Sequence, residues 1–264
     1  MTARRPIRVR QAHSEWVTDR LSERDRALVA SVGRLRLATS DQLERLHFAG
    51  LADGTRSRIR RRVLARLVEW RVLMTLDRRI GGVRAGSAGL VFALDTVGQH
   101  LINLSGQASR RPRQPSIALL GHSLTISELF VTLVERSHRN SFIVSNYVTE
   151  PACWWPLPVG GWLKPDAYLK LTTTAVADHW WLEIDKDTEH LPTIRRKLTT
   201  YLDYAESGGL GPDDVLPRVL VTVPGEQRRA AVASIIARLP NAARMLHVVT
   251  EPQAAQFLTT KLQE

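Results

Sequence analysis

Residues 163–171 read Leu-Lys-Pro-Asp-Ala-Tyr-Leu-Lys-Leu, and residues 179–185 read His-Trp-Trp-Leu-Glu-Ile-Asp. A short polar gap separates the two apolar runs. That pattern predicts two neighbouring strands, Trp162–Leu171 and Trp180–Ile184, in a hairpin or meander. Asp166 follows a proline near the start of the first, and Glu183 closes the second. Side chains alternate along a strand, so Glu183 and Asp185 share one face and Lys186 takes the other. If the strands pair, Asp166 approaches Glu183. Three converging carboxylates repel one another unless a divalent cation neutralises them, and an oxygen-only donor set suits Mg²⁺ or Mn²⁺.

Outward from this stretch, the second half alternates. Its periodicity predicts a helix over His122–His138, a strand over Ser141–Val148 and, after the two strands above, a helix over Pro192–Ala205. A strand at Arg218–Val223, a helix at Glu226–Leu239, a strand at Met245–Val249 and a helix at Pro252–Leu262 follow. The order α-β-β-β-α-β-α-β is that of an α/β sandwich. Of the pairs Trp154-Trp155 and Trp180-Trp181, alternation sends one of each to the core and leaves the other free to stack on a base.

Pro165-Asp166 followed by Glu183-x-Asp185 on such a core resembles the PD-(D/E)xK nuclease motif. Lys197-Leu-Thr-Thr-Tyr201 is similar to the Gln-x-x-x-Tyr element of some members, and Glu128 matches the extra acid that such folds often carry on the first helix. The resemblance implies that Asp166, Glu183 and Asp185 hold Mg²⁺ or Mn²⁺. The metal would lower the pKa of a bound water for attack on phosphate. Lys197 would supply positive charge, with Tyr201 one turn further along the same helix face. One departure stands out: the superfamily's lysine belongs two residues after Glu183, where this chain has Asp185. Lys186 is one residue late and faces away. Three readings stay open. The domain is a working metal-dependent endonuclease, an inactive nuclease fold used as a regulator or dimerisation module, or an unrelated α/β domain whose acids merely end strands.

The first half is chemically different. Residues 1–115 hold 23 arginines, no lysine and 10 acids, whereas residues 116–264 hold 14 basic and 16 acidic residues. Such asymmetry points to a polyanion partner for the basic half, and double-stranded DNA is the expected one. Ser22 with Asp25 opens a helix that Gly33 ends, Ser40 caps a short helix through Phe48, and a longer helix runs from Thr55 to Trp70. Two extended runs, Leu73–Ile80 and Leu90–Leu94, flank a glycine-rich tip, and residues 95–104 form a closing helix. Three helices followed by a glycine-tipped hairpin make the winged-helix order. On the third helix Ile59, Val63, Leu67 and Trp70 share one face, while Arg58, Arg61 and Arg62 occupy the other, suited to guanine edges and phosphates. Arg78, Arg79 and Arg84 lie in or beside the wing. The implied organisation is a basic arm over 1–20, a winged helix over 21–104, a linker over 105–116 and a PD-(D/E)xK-like domain over 117–264. With that N-terminal half, the whole chain resembles the bacterial replication-relaxation family of plasmid and mobile-element proteins.

Other chemistries are disfavoured. Cys153 is the only cysteine, which leaves no internal disulfide and no thiolate zinc site. The eight histidines include no His-x-His or His-x-x-x-His pair, which argues against a relaxase nicking through Tyr201 or Tyr204. No signal peptide follows Arg4 and Arg5, and no apolar run reaches spanning length. A cytoplasmic protein without a membrane partner is expected.

Overall fold

A computed structural model describes residues 11–76, 89–102 and 117–262. The chain divides into two compact units, residues 1–124 and 125–264. The fold is mixed α/β.

In the first unit, α1 spans Gln11–Arg20. The sequence predicts an arm here, yet Val17 is fully buried and Trp16 meets Trp70 edge-on at 5.3 Å. α2, Glu23–Leu35, opens on the expected capping box of Ser22 and Asp25. Gly33 does not end it. A Cβ there would lie 2.0 Å from Ile102 Cδ1, so the glycine marks close packing within the helix rather than its stop. β1, Ala38–Thr39, leads into α3, Ser40–His47. The cap is Thr39 rather than Ser40, through a reciprocal box with Gln42. α4 spans Asp53–Glu69, and β2, Leu73–Leu76, follows. β3, Val91–Leu94, and α5, Thr96–Ile102, complete the set. The strands pair antiparallel in the order β1-β3-β2. The wing arginines Arg78, Arg79 and Arg84, the far end of the run expected to reach Ile80, and the linker expected at 105–116 lie outside the described residues.

α6, Ile117–Ser137, begins five residues before the expected His122 and runs across the break between the units. Its Leu120 and Leu124 join Leu37, Leu76, Val91 and Ala93 in an apolar cluster of the first unit. The second unit then has β4, Ile143–Thr149, and a two-stranded ribbon of β5, Trp155–Pro156, and β6, Trp162–Leu163. β7, Ala167–Thr172, β8, Ala177–Ile184, and α7, Leu191–Glu206, come next. β9, Arg218–Val223, α8, Glu226–Ile236, β10, Leu246–Thr250, and α9, Ala254–Lys261, end the chain. The run expected as one strand, Trp162–Leu171, is split at Lys164-Pro165-Asp166, because proline cannot donate to a ladder.

The five-stranded sheet runs β10-β9-β8-β7-β4, with β4, β7 and β8 antiparallel and β8, β9 and β10 parallel. β8 is central and covered on both faces. Trp181 meets Tyr201 and Tyr204 of α7, whereas Trp180 meets His247 of β10 and Phe257 of α9. Both tryptophans are therefore fully buried. Alternation sent them to opposite faces as expected, but neither face is solvent, so neither is free to stack on a base.

Candidate functional site

Two sets of residues carry chemistry, one in each unit. In the first, α4 is fixed by its inward side. Leu64 and Leu67 are buried there, joined by Arg60, while Ile59, Val63 and Trp70 are only half-buried. The apolar stripe is thus rotated from its expected position. A guanidinium can take an interior place because an acid meets it: Arg60 Nη1 lies 2.5 Å from Glu44 Oε2 on α3. Arg66 Nη2 likewise donates to both oxygens of Asp25 on α2 at 2.6 Å. Arg60 braces the helix from within, and the partly exposed Arg66 ties its flank to α2. Arg58, Arg61 and Arg62 all point to solvent. The arginine-dense helix thus divides into acid-paired braces and an outer cationic row. The braces were missed from sequence because their acids lie 16 and 41 residues away.

In the second unit the β7–β8 ladder pairs Ala167 with Leu182 and so sets Asp166 near Glu183. Asp166 Oδ2 accepts the backbone N–H of Ile184 at 2.6 Å. Glu183, 3% exposed, accepts from Lys197 Nζ at 2.7 Å on one oxygen and from Tyr201 Oη at 2.5 Å on the other. Lys197 and Tyr201 sit one turn apart on α7, so both reach the same carboxyl. Burial raises the Glu183 carboxyl to about 7; the Lys197 charge opposes that rise and Asp166 adds to it. Burial alone would lower the Lys197 ammonium, but the charges of Glu183 and Asp166 outweigh it and hold Lys197 above its ordinary value. Burial pushes the nearby Cys153 thiol up to about 12, with Asp166 adding to the shift, which leaves it a poor nucleophile.

Asp185 takes a different course. Its Oδ2 accepts from Arg228 Nε at 2.7 Å, and its Oδ1 accepts the Asp187 N–H at 2.8 Å. Arg228 also meets Asp187 Oδ1 at 3.0 Å and donates to the Glu189 carbonyl at 2.6 Å. One guanidinium on α8 thereby ties down three points of the loop between β8 and α7. Sequence reading missed Arg228, since nothing local to it signals a partner 43 residues earlier. Lys186 faces away, as expected, donating to Glu251 at 2.8 Å and Thr125 at 3.2 Å. Glu128 on α6 accepts a 3.4 Å bond from Thr132.

The family model for replication-relaxation matches residues 29–219. The chain belongs to the replication-relaxation family. The matched stretch of this replication-relaxation protein takes in both the arginine row and the Asp166–Tyr201 cluster, and it stops within β9, short of Arg228. No curated protein and no solved structure matches the chain. Among the described residues no helix is long and apolar enough to cross a membrane.

The divalent cation implied for Asp166, Glu183 and Asp185 does not fit their present arrangement. The three carboxyls turn to three different partners: a backbone N–H, a lysine with a tyrosine, and an arginine. Among the described residues no group of three or more His, Cys, Asp or Glu is arranged to hold a metal.

Proposed function

We propose that this replication-relaxation protein binds double-stranded DNA in replication or mobile-element DNA processing, and that its second unit is a PD-(D/E)xK-like fold that does not cut. In this reading the first unit is a winged helix. Its support is the order of α2, β1, α3, α4, β2 and β3, with β3 between the other two strands. The observation that carries the reading is the outward row of Arg58, Arg61 and Arg62 on a helix braced from within. Guanidinium groups on a fixed helix can bond guanine edges bidentately or clamp phosphates, and each phosphate contact releases counterions. Replacing all three arginines by alanine is expected to weaken duplex binding and to flatten the salt dependence by about one slope unit per lost phosphate contact. A folded triple variant with an unchanged slope would falsify this surface assignment.

The non-cutting reading is supported by Asp185. It stands where the superfamily has its lysine, and its carboxylate is bonded by Arg228 rather than by the lysine and tyrosine that hold Glu183. An acid at that position repels phosphate where phosphoryl chemistry needs a cation. The contact of Lys197 with Glu183, close to Asp166, favours the opposite reading, an Mg²⁺- or Mn²⁺-dependent endonuclease. Incubating supercoiled plasmid with protein and either metal separates the two. The proposal expects binding without cutting; metal-dependent nicking that Asp166→Ala abolishes selects the endonuclease.

A further inference from the structure

The ribbon of β5 and β6 leaves the sheet after Thr149 and returns at Asp166. Its register pairs Trp155 with Leu163 and Pro156 with Trp162. Side chains alternate, so the first pair faces the protein and the second faces out. Leu163 is 2% exposed, whereas Trp162 is 54% exposed. Val159 at the tip is 93% exposed. Gly160 and Gly161 follow with φ near +90°, and a Cβ on either would meet nothing within 4 Å, so the tip stands clear of its surroundings. The root is fixed. Trp155 Nε1 donates to Leu210 O at 2.8 Å and Tyr204 Oη at 3.0 Å, and Cys153 Sγ donates to Pro165 O at 3.1 Å. From Pro151 to Pro165 there is no acid, and Lys164 is the sole charged residue, its ammonium 4.8 Å from the Trp154 ring centre.

We propose that this ribbon tip is a stacking site for an unpaired nucleotide base, with Trp162 as the platform and Lys164 as the cation beside the strand. An indole ring offers every base a π-face, which makes such a contact tolerant of sequence. Backbone pairing fixes the strand that carries the ring before binding, so little backbone order is lost when a base arrives. The acid-free ribbon and its lysine are complementary in charge to a phosphodiester strand. The inference rests on the reading that this protein binds DNA, but it concerns single-stranded or locally opened DNA rather than the duplex.

The test uses the full chain and two labelled probes, a short single-stranded oligonucleotide and a duplex of the same sequence, followed by fluorescence anisotropy. Trp162→Ala is expected to weaken single-strand binding by about 5- to 150-fold, the effect of losing one stacked base, and to leave duplex binding unchanged. Trp162→Phe is expected to restore most of the loss, since a smaller ring still stacks. The residue is exposed, so both variants are expected to melt as the wild type does. Equal single-strand affinity for wild type and Trp162→Ala would overturn the proposal, as would a wild type that ignores single strands. A dimer in sedimentation that Trp162→Ala dissociates, with single-strand affinity unchanged, would assign the tip to a second copy instead. Loss of duplex binding in the triple arginine variant, with single-strand binding retained, would separate the two contacts. A wild type that binds single strands but no duplex would sink the duplex reading alone.

Discussion

Glu183 shows how a residue can be found in sequence while its company is not. Strand pairing brought it near Asp166, and the spacing of one helical turn put Lys197 and Tyr201 on one face, but that both bond Glu183 is seen only in the structure. The diversion of Asp185 to Arg228 was not legible either, because it depends on how α8 lies against the loop. The chemistry makes a testable demand on pH. Burial holds the Glu183 carboxyl near 7, against an ordinary 4.5. Between those values the folded chain binds more protons than the unfolded one, so this group's contribution to stability falls as pH rises through that window. Lys197 limits the rise. Removing its ammonium sends the carboxyl higher and extends the loss above pH 7. Lys197→Ala is therefore expected to cost about 2 kcal/mol at pH 8, below the usual range for a fully buried pair because the lysine is partly exposed. The penalty should shrink markedly at pH 5, where the carboxyl is protonated. Urea unfolding at the two pH values measures it, and an equal penalty at both would show that the ion pair is not what Glu183 depends on.

At the scale of elements, most of the order was legible because apolar periodicity and caps are local. The box at Ser22 and Asp25 needs only three residues of context. The errors lie where distant contacts decide. Gly33 reads as a helix stop in isolation, yet it is the place where α2 and α5 approach closely. The burial of Arg60 rotates the stripe on α4, since no local rule assigns a charge to the interior. Glycine packing gives a direct comparison. A Cβ at Gly98 on α5 would lie 2.2 Å from the Val72 carbonyl oxygen, which is backbone beside β2. A Cβ at Gly33 would meet only side-chain atoms, the end of the flexible Ile102 at 2.0 Å and Leu94 Cδ1 at 3.4 Å. Gly98→Ala is expected to destabilise by about 1–3 kcal/mol despite alanine's better helix propensity. Gly33→Ala should stay within about 1 kcal/mol of wild type, as the displaced methyl can turn aside. Thermal melts rank the two, and the reverse order would mean that α5 shifts more easily than Ile102 does.

At the scale of the molecule, the charge break near residue 115 is a poor guide to where the first unit ends. Leu120 and Leu124 belong to its apolar cluster although they lie beyond that break. A fragment of residues 1–124 is expected to melt cooperatively, and one ending at residue 110 to lose roughly 3 kcal/mol or more from the two missing leucines. Indistinguishable melts would refute that role for the start of α6. The sheet order of the second unit has a consequence in time. β7 and β8 are joined by a tight turn in which Thr173 N–H reaches Val176 O at 2.8 Å, so their ladder can close early and at small entropic cost. β9 meets β8 only after the whole of α7 has crossed over, and β10 needs α8 as well, which makes the parallel half slow to close. During refolding, pulse-labelled amides of Lys170 and His179 are expected to gain protection before those of Val221 and Val248. Until the parallel strands arrive, the newly formed edge of β8 is uncovered, and the interval before docking is when this chain is most exposed to pairing with its neighbours.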